Sequence, residues 1–197
     1  MMDRIVLASG SPRRRELLHQ MGIDDFEVLA ARGEETAPAG LTPAELVRHL
    51  ALQKAREVAA LRPEATVIGA DTVVVLDGAV LGKPADAGDA RRMLSALSGR
   101  AHQVYTGLAV LRGGRTISHA ECTQVHFRAL TAEEIDAYVA TGEPMDKAGA
   151  YGIQGRACTL IRGIEGDYYN VVGLPVCALY EALGRLEAET ERKEPLP

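Results

Sequence analysis

The chain has 197 residues, 47 % of them apolar and 25 % charged, with a net charge of −5, which suits one soluble domain with a real core. The acidic balance disfavours a nucleic-acid surface, no apolar run approaches the roughly 18 residues of a membrane span, and the N-terminus lacks the apolar core of a signal peptide. Three widely spaced cysteines (Cys122, Cys158, Cys177) argue against a disulfide framework or a zinc cluster, so a cytoplasmic protein with no nucleic-acid partner and no membrane is expected.

The first apolar run, Ile5–Ala8, predicts a buried strand. Ser11 follows as an N-cap and Pro12 as the first residue of a helix over Pro12–Met21, which Gly22 ends. Its first turn carries Arg13, Arg14 and Arg15, although a helix N-terminus disfavours each cation by about 0.3–1 kcal/mol. An anion resolves the conflict. Free backbone N–H groups, the Ser9 and Ser11 hydroxyls and the guanidinium forks of Arg13 and Arg14 would cradle a polyphosphate. Arginines fanning out into solvent are the plain alternative.

Residues 31–40 read as a loop holding Glu34 and Glu35, whose oxygens could serve a metal, although exposed loop acids usually have no such role. Thr42-Pro43-Ala44-Glu45 is a capping box opening a helix that runs to Leu61. Its apolar stripe is Val47, Leu50, Ala51, Val58 and Leu61, and Lys54 falls near the centre of that stripe. Such a lysine either snorkels out or points into a polar cleft.

Asp71 interrupts the apolar strand Val67–Leu76. A carboxylate there is costly unless it is paired, binds metal or faces a cleft, and a purely structural salt bridge is the simplest alternative. The Asp77-Gly78 turn predicts a hairpin with Ala79–Leu81. A two-residue turn sets Lys83 opposite Thr72, and a one-residue slip sets it opposite Asp71. Gly82 and Pro84 around Lys83 suggest a strand ending at a rim.

Further along, a helix is predicted over Ala87–Leu97, then a hairpin of Val104–Leu111 and Thr116–Arg128 about Gly113-Gly114. Thr131 to Glu134 is a second capping box, opening a helix to Ala140. The loop Met145–Gly155 follows, then strands near Thr159–Ile161 and Tyr169–Val172 and a last helix, Val176–Leu186. Within the loop, Gly149, Gly152 and Gly155 permit close backbone approach, and Gln154 can both donate and accept, as reading a base edge requires. A turn-rich loop with no chemistry is the plain alternative. The interleaving of helices, strands and hairpins predicts an α/β or α+β fold with a mixed sheet. Residues 1–186 are expected to form one domain in two lobes, with a charged, frayed tail over 187–197. The five histidines show no metal-ligand spacing, and the serines sit in no G-x-S-x-G elbow.

Five segments carry a resemblance: Leu7-Ala8-Ser9-Gly10-Ser11-Pro12-Arg13-Arg14, Gly69-Ala70-Asp71-Thr72, Leu81-Gly82-Lys83-Pro84, the stretch from Asp146 to Gly155, and Tyr169-Asn170-Val171-Val172-Gly173-Leu174-Pro175. Together they resemble the Maf family of nucleoside triphosphate pyrophosphatases, over nearly the whole chain. The resemblance implies a two-lobed α/β fold with a mixed sheet flanked by helices, similar to the inosine triphosphate pyrophosphatases, with the active site in the cleft between lobes. It implies hydrolysis of a nucleoside triphosphate to the monophosphate and pyrophosphate with a divalent metal cation, Mg²⁺ or Mn²⁺. By position, Asp71 matches the family's proton acceptor. Arg13, Thr72 and Gln154 match positions that set substrate choice, and Ser9, Arg14, Glu35, Lys54 and Lys83 match other functional positions. The loop ending in Gln154 and Gly155 resembles the branch acting on dTTP and UTP. Asp167 stands where many members have serine.

On this basis Ser9, Ser11, Arg13 and Arg14 would hold the phosphate tail, and Lys54 and Lys83 would offset charge developing at the α-phosphate. Asp71 and Glu35 would hold the metal, Asp71 would accept the proton of the attacking water, and Thr72 and Gln154 would read the pyrimidine. The biological sense would be nucleotide-pool housecleaning, with modified pyrimidine triphosphates as further substrates and a homodimer as the assembly. An alternative from another class stays open: a nucleotide-binding regulator of cell division and septum formation, with incidental hydrolysis.

Overall fold

The computed structural model describes residues 4–191. The chain is α/β, with the strands hydrogen-bonded in the order β2-β1-β3-β5-β6-β7 and β4 added to β3. Parallel and antiparallel pairs both occur, so the sheet is mixed, as the interleaved pattern predicted. In chain order the elements are β1 (Ile5–Leu7), α1 (Pro12–Gln20), β2 (Phe26–Val28), α2 (Pro43–Leu61), β3 (Thr66–Leu76) and β4 (Ala79–Leu81). Then come α3 (Ala87–Leu97), β5 (Ala101–Arg112), β6 (Arg115–Phe127), α4 (Ala132–Val139), β7 (Ile161–Glu165), α5 (Tyr168–Val172) and α6 (Val176–Glu191).

The chain forms two compact units. The first comprises the chain up to Asp71, Gly107–Ala120 and the chain from Gly173 onward; the second comprises Thr72–Thr106 and Glu121–Val172.

In the first unit β1 pairs in parallel with both β2 and β3, Ile5 lying opposite Phe26 and Thr66. α2 covers these strands with Ala51, Ala55 and Val58, which pack on Val6, Ala8, Val67 and Ala109. It starts on the predicted capping box: the Thr42 hydroxyl accepts from the Glu45 N–H, and the Glu45 carboxylate accepts from the Thr42 N–H. Its approach to the sheet depends on two glycines. A β-carbon at Gly69 would stand 2.4 Å from the Ala51 carbonyl oxygen, and one at Gly107 would stand 2.0 Å from that of Val47. Any side chain at either position would lift the helix.

In the second unit β3 and β4 pair through the Asp77-Gly78 turn, both residues having positive φ as a tight hairpin turn requires. α3 buries Ala90, Met93, Leu94 and Leu97, the i, i+3, i+4, i+7 pattern of one helix face. These pack with Val74, Leu76, Val104, Val125, Phe127 and the buried face of α4. α4 opens on the predicted Thr131 capping box.

Several expectations are corrected. β2 is a short parallel strand absent from the sequence pattern, and α1 ends at Gln20. Thr159 belongs to a short 3₁₀ turn, and the strand starts at Ile161. Residues 168–172 form a helical turn, not a strand. Its valines and tyrosines suit a strand locally, but the buried Asn170 amide decides the matter by donating to the Val104 carbonyl (2.9 Å) and the Thr123 hydroxyl (2.9 Å). Asp167 starts the turn, accepting the Tyr169 N–H at 2.8 Å. Serine can make that same bond, which gives the departure from the family pattern a structural sense. α6 continues to Glu191, past the expected end at Leu186, and the rest of the predicted tail lies outside the described residues.

Candidate active site

Of the predicted site residues, Ser9, Ser11, Arg13, Arg14, Glu35, Lys54 and Asp71 fall in the first unit, and Thr72, Lys83 and Gln154 in the second.

At the start of α1, Ser11 occupies the N-cap position, but its hydroxyl makes no capping bond. Ser9, 7 % exposed, does more. Its hydroxyl oxygen accepts from the Ser11 N–H (3.3 Å) and from the Arg14 Nη1 (3.0 Å). Arg14 Nε donates to the Gly173 carbonyl at 2.8 Å. The guanidinium is therefore gripped on two sides rather than fanned into solvent. Burial pulls it below its ordinary pKa; the Asp71 carboxylate opposes that, Arg13 adds to it and Glu35 opposes it. Arginine stays charged through such a shift. The first turn of α1 contains no acid, so no carboxylate of the helix's own first turn offsets its positive end.

Lys54 lies in the buried stripe of α2, as its spacing predicted. Its ammonium sits 2.6 Å from Asp71 Oδ1 and 3.0 Å from Glu35 Oε1. The side chains of Lys54 and Asp71 are only 16 % and 13 % exposed, so the charge pair is largely removed from solvent. Gly69, two residues before Asp71, faces the same helix, as the two-residue period of a strand demands. Asp71 and Thr72 are the only partly exposed residues of β3. The Lys54 ammonium engages Asp71 through Oδ1.

The loop bearing Glu35 is held by a stripe of α2 that the sequence reading missed. His49 Nε2 donates to the Thr36 carbonyl (3.0 Å), and Gln53 Nε2 donates to the Glu34 carbonyl (2.7 Å). Glu57 Oε1 accepts the Arg32 N–H at 2.7 Å, and its carboxylate also accepts the Gly33 N–H. The four-residue spacing of His49, Gln53 and Glu57 was the available signal, since it puts polar groups on one helix face.

Glu35 and Asp71 share one ammonium, and no group of three or more His, Cys, Asp or Glu able to hold a metal occurs among the described residues. Two carboxylates without a protein-only cage suit a hard cation that completes its shell with phosphate oxygens and water.

In the second unit the observed β3–β4 register, Val74 opposite Leu81, selects the first of the two expected alignments. Continued by two residues, it sets Lys83 level with Thr72. β4 ends at Leu81, and Lys83 is exposed. The Gly82 carbonyl accepts the Gly149 N–H at 3.0 Å, tying this strand end to the loop of Gln154. That loop is anchored from within. Tyr151 is buried, its hydroxyl 2.7 Å from His102 Nε2, and the Glu143 carboxylate accepts the Tyr138 hydroxyl (2.9 Å) and the Arg156 N–H (3.0 Å). Gly149 has φ +68, and a β-carbon there would strike the Val74 side chain. Gln154 stands exposed on this fixed loop.

A family model for Maf-like proteins matches residues 4–186. The chain is similar to the dTTP/UTP pyrophosphatase of Symbiobacterium thermophilum, 58 % identical over 175 residues that cover 89 % of this chain and 90 % of that one. Its likeness to the dTTP/UTP pyrophosphatase of Moorella thermoacetica is 56 % over 185 residues, covering 92 % and 94 %. The protein of the same name from Bacillus cytotoxicus is 50 % identical over 187 residues, covering 95 % and 97 %. A solved structure of a HAM1 protein from Coxiella burnetii matches 94 % of this chain and 100 % of its own with a TM-score of 0.55 at 16 % identity, a likeness of fold.

Proposed function

The chain belongs to the Maf-like protein family, and from that membership we propose that it hydrolyses dTTP and UTP to the monophosphate and pyrophosphate. The names of its relatives support the activity, and the observation that carries the chemistry is the Lys54–Asp71–Glu35 cluster. A phosphate-transfer site needs a poised carboxylate among cations, and a passive anion sensor needs only the cations.

Arg13, Arg14 and the first N–H groups of α1 bind the triphosphate tail, with Ser9 holding Arg14 in place. Water attacks the α-phosphorus, Asp71 takes its proton at Oδ2, and pyrophosphate leaves. Lys54 fixes the carboxylate through Oδ1, which orients it for that role. Lys54 and Lys83 offset the charge that grows on the phosphoryl oxygens. Glu35 and Asp71 would hold a divalent cation, Mg²⁺ or Mn²⁺, carried in with the triphosphate. When bound, that ion neutralises phosphate charge. Thr72 and Gln154 read the pyrimidine edge. The protein acts on the cytoplasmic nucleotide pool, where its three free, exposed cysteines stay reduced.

A product assay tests this. Purified protein is incubated with dTTP, UTP and other triphosphates in Mg²⁺ or Mn²⁺, beside Asp71→Asn. Monophosphate plus pyrophosphate from dTTP and UTP, lost in the variant with substrate binding retained, is the expected result. Diphosphate plus free phosphate would place the attack on the wrong phosphorus. Nucleotide binding without turnover would favour a regulator of cell division over an enzyme.

A further inference from the structure

Gln154 sits in a tight turn. The Gly155 N–H donates to the Gly152 carbonyl at 3.1 Å, which puts Ile153 and Gln154 at the two central positions. The Gln154 side chain is exposed, so the backbone of this turn, rather than packing, sets where its amide can reach. That backbone leans on one residue, Glu143, in a 3₁₀ turn over Glu143–Asp146. Where the loop begins, the Glu143 main-chain carbonyl accepts from the Lys147 ammonium at 2.7 Å. Where the turn ends, Glu143 Oε2 accepts the Arg156 N–H at 3.0 Å. The carboxylate is fixed from its other side, because Oε1 accepts the hydroxyl of the buried Tyr138 at 2.9 Å. The Glu143 N–H donates to the Thr141 hydroxyl oxygen at 3.1 Å. Gly155 packs flat on this carboxylate: a β-carbon there would stand 2.2 Å from Oε1 and 2.7 Å from Oε2.

We propose that Glu143 is a positioning residue for base selection, acting through the backbone of Gly155 and Arg156 to fix the reach of the Gln154 amide. This rests on the reading of the pyrimidine by Gln154 given above. An amide carries both a donor and an acceptor, so it discriminates only while its orientation is held. On a loosened turn it can offer either end to either base, and the wrong base is then no longer left with unpaired groups. Glu143 supplies the hold as a charged acceptor, whose bonds to N–H and O–H donors are stronger than those of a neutral one. The cost of losing it falls on selectivity more than on turnover.

The test compares kcat/KM for UTP and CTP in the wild type, Glu143→Ala, Glu143→Gln, Gly155→Ala and Gln154→Ala, and in Glu143→Ala combined with Gln154→Ala. Alanine at 143 removes the Arg156 bond and the support beneath Gly155. The UTP/CTP ratio should then fall by about tenfold, with kcat for UTP changed less. Glutamine keeps an acceptor for the Arg156 N–H and should hold the ratio within about threefold of wild type. Gly155→Ala drives the carboxylate off by a second route and should lower the ratio as Glu143→Ala does, so the test does not depend on one variant folding. In the Gln154→Ala background, Glu143→Ala should change the ratio no further, because the residue it acts through is already gone. An unchanged ratio in a folded Glu143→Ala or Gly155→Ala protein overturns the proposal. So does an additive effect in the double variant, or a glutamine variant as damaged as the alanine one. If Gln154→Ala itself leaves the ratio unchanged, the reading of the base by Gln154 falls, and the proposal with it. A ratio lowered by Gln154→Ala but not by Glu143→Ala overturns the proposal alone.

Discussion

A β-carbon on Gly107 would stand 2.0 Å from the carbonyl oxygen of Val47, closer than any non-bonded contact permits. The backbone of β5 and the backbone of α2 therefore touch with nothing between them. Gly69 repeats the arrangement against Ala51, one turn of α2 further on. This close seat brings Lys54 down to Asp71, so the packing and the chemistry share a cause.

Gly107→Ala should lower stability by about 1–3 kcal/mol, because the helix must lift to admit a methyl group. It should also lower turnover, since lifting α2 moves Lys54 away from Asp71. Gly184→Ala is the control. Gly184 lies in α6 with nothing within 4 Å of its added carbon, so alanine there should stabilise by about 0.5–1 kcal/mol and leave turnover unchanged. Urea unfolding beside a pyrophosphate-release assay reads both effects.

Lys54→Met keeps the length and apolar stem of the side chain and deletes its charge. Glu35 and Asp71 would then face each other without the ammonium they share. Turnover should fall by about 10²–10³, the usual loss for one electrostatic stabiliser. Unchanged turnover in a folded Lys54→Met protein, read by pyrophosphate release, would remove Lys54 from the reaction.

Arg14→Lys tests whether shape or charge matters at the start of α1. Lysine keeps the charge but cannot span the Ser9 hydroxyl and the Gly173 carbonyl as the guanidinium fork does. KM for the triphosphate should rise about tenfold, with a smaller change in kcat. Ser9→Ala should shift KM in the same direction by less. Equal KM values for wild type and Arg14→Lys would reduce Arg14 to a point charge.

His102 gives a pH dependence with a definite sign. It is 2 % exposed, and burial, with a lesser contribution from His126, lowers its pKa to about 4. In the unfolded chain the imidazole titrates near its ordinary value of 6.5. Above that pH both states are neutral and the stability is fully present. As the pH falls from 6.5 to 4 the unfolded chain takes up a proton that the native chain refuses, so stability drops by roughly 3 kcal/mol across that window. Below pH 4 the contribution is gone and the slope from this residue ends. Urea unfolding at pH 7 and pH 4.5 measures the drop, and His102→Gln should flatten it.

The parts of this fold that were legible in the sequence are those where a local rule is either obeyed twice or broken. Both capping boxes, at Thr42 and Thr131, gave helix starts to the residue. Arg13 and Arg14 broke the helix-end rule, Lys54 broke the α2 stripe, and Asp71 broke an apolar strand. What lay hidden depends on distant chain. β2 is three residues long and becomes a strand only through β1, so it has no period of its own. Residues 168–172 look like strand material, and only the buried anchoring of Asn170 turns them into helix. For Asp71 the sequence offered Lys83 as the nearby ammonium and the structure pairs it with Lys54, because a hairpin register is local information and the seating of α2 is not. The partner of Arg14 at Gly173 is 159 residues away.

The bare contact of Gly107 with Val47 also bears on the order of events during synthesis. α2, β3, and with them Lys54 and Asp71, leave the ribosome before β5 does. The capping box lets α2 wind early, since it is a local signal. Its full seat, however, includes a strand not yet made. The Lys54–Asp71 ion pair is thus assembled on half of its support until β5 arrives, and the lifetime of that half-built state sets how long the apolar face of α2 is open to chaperones or to aggregation.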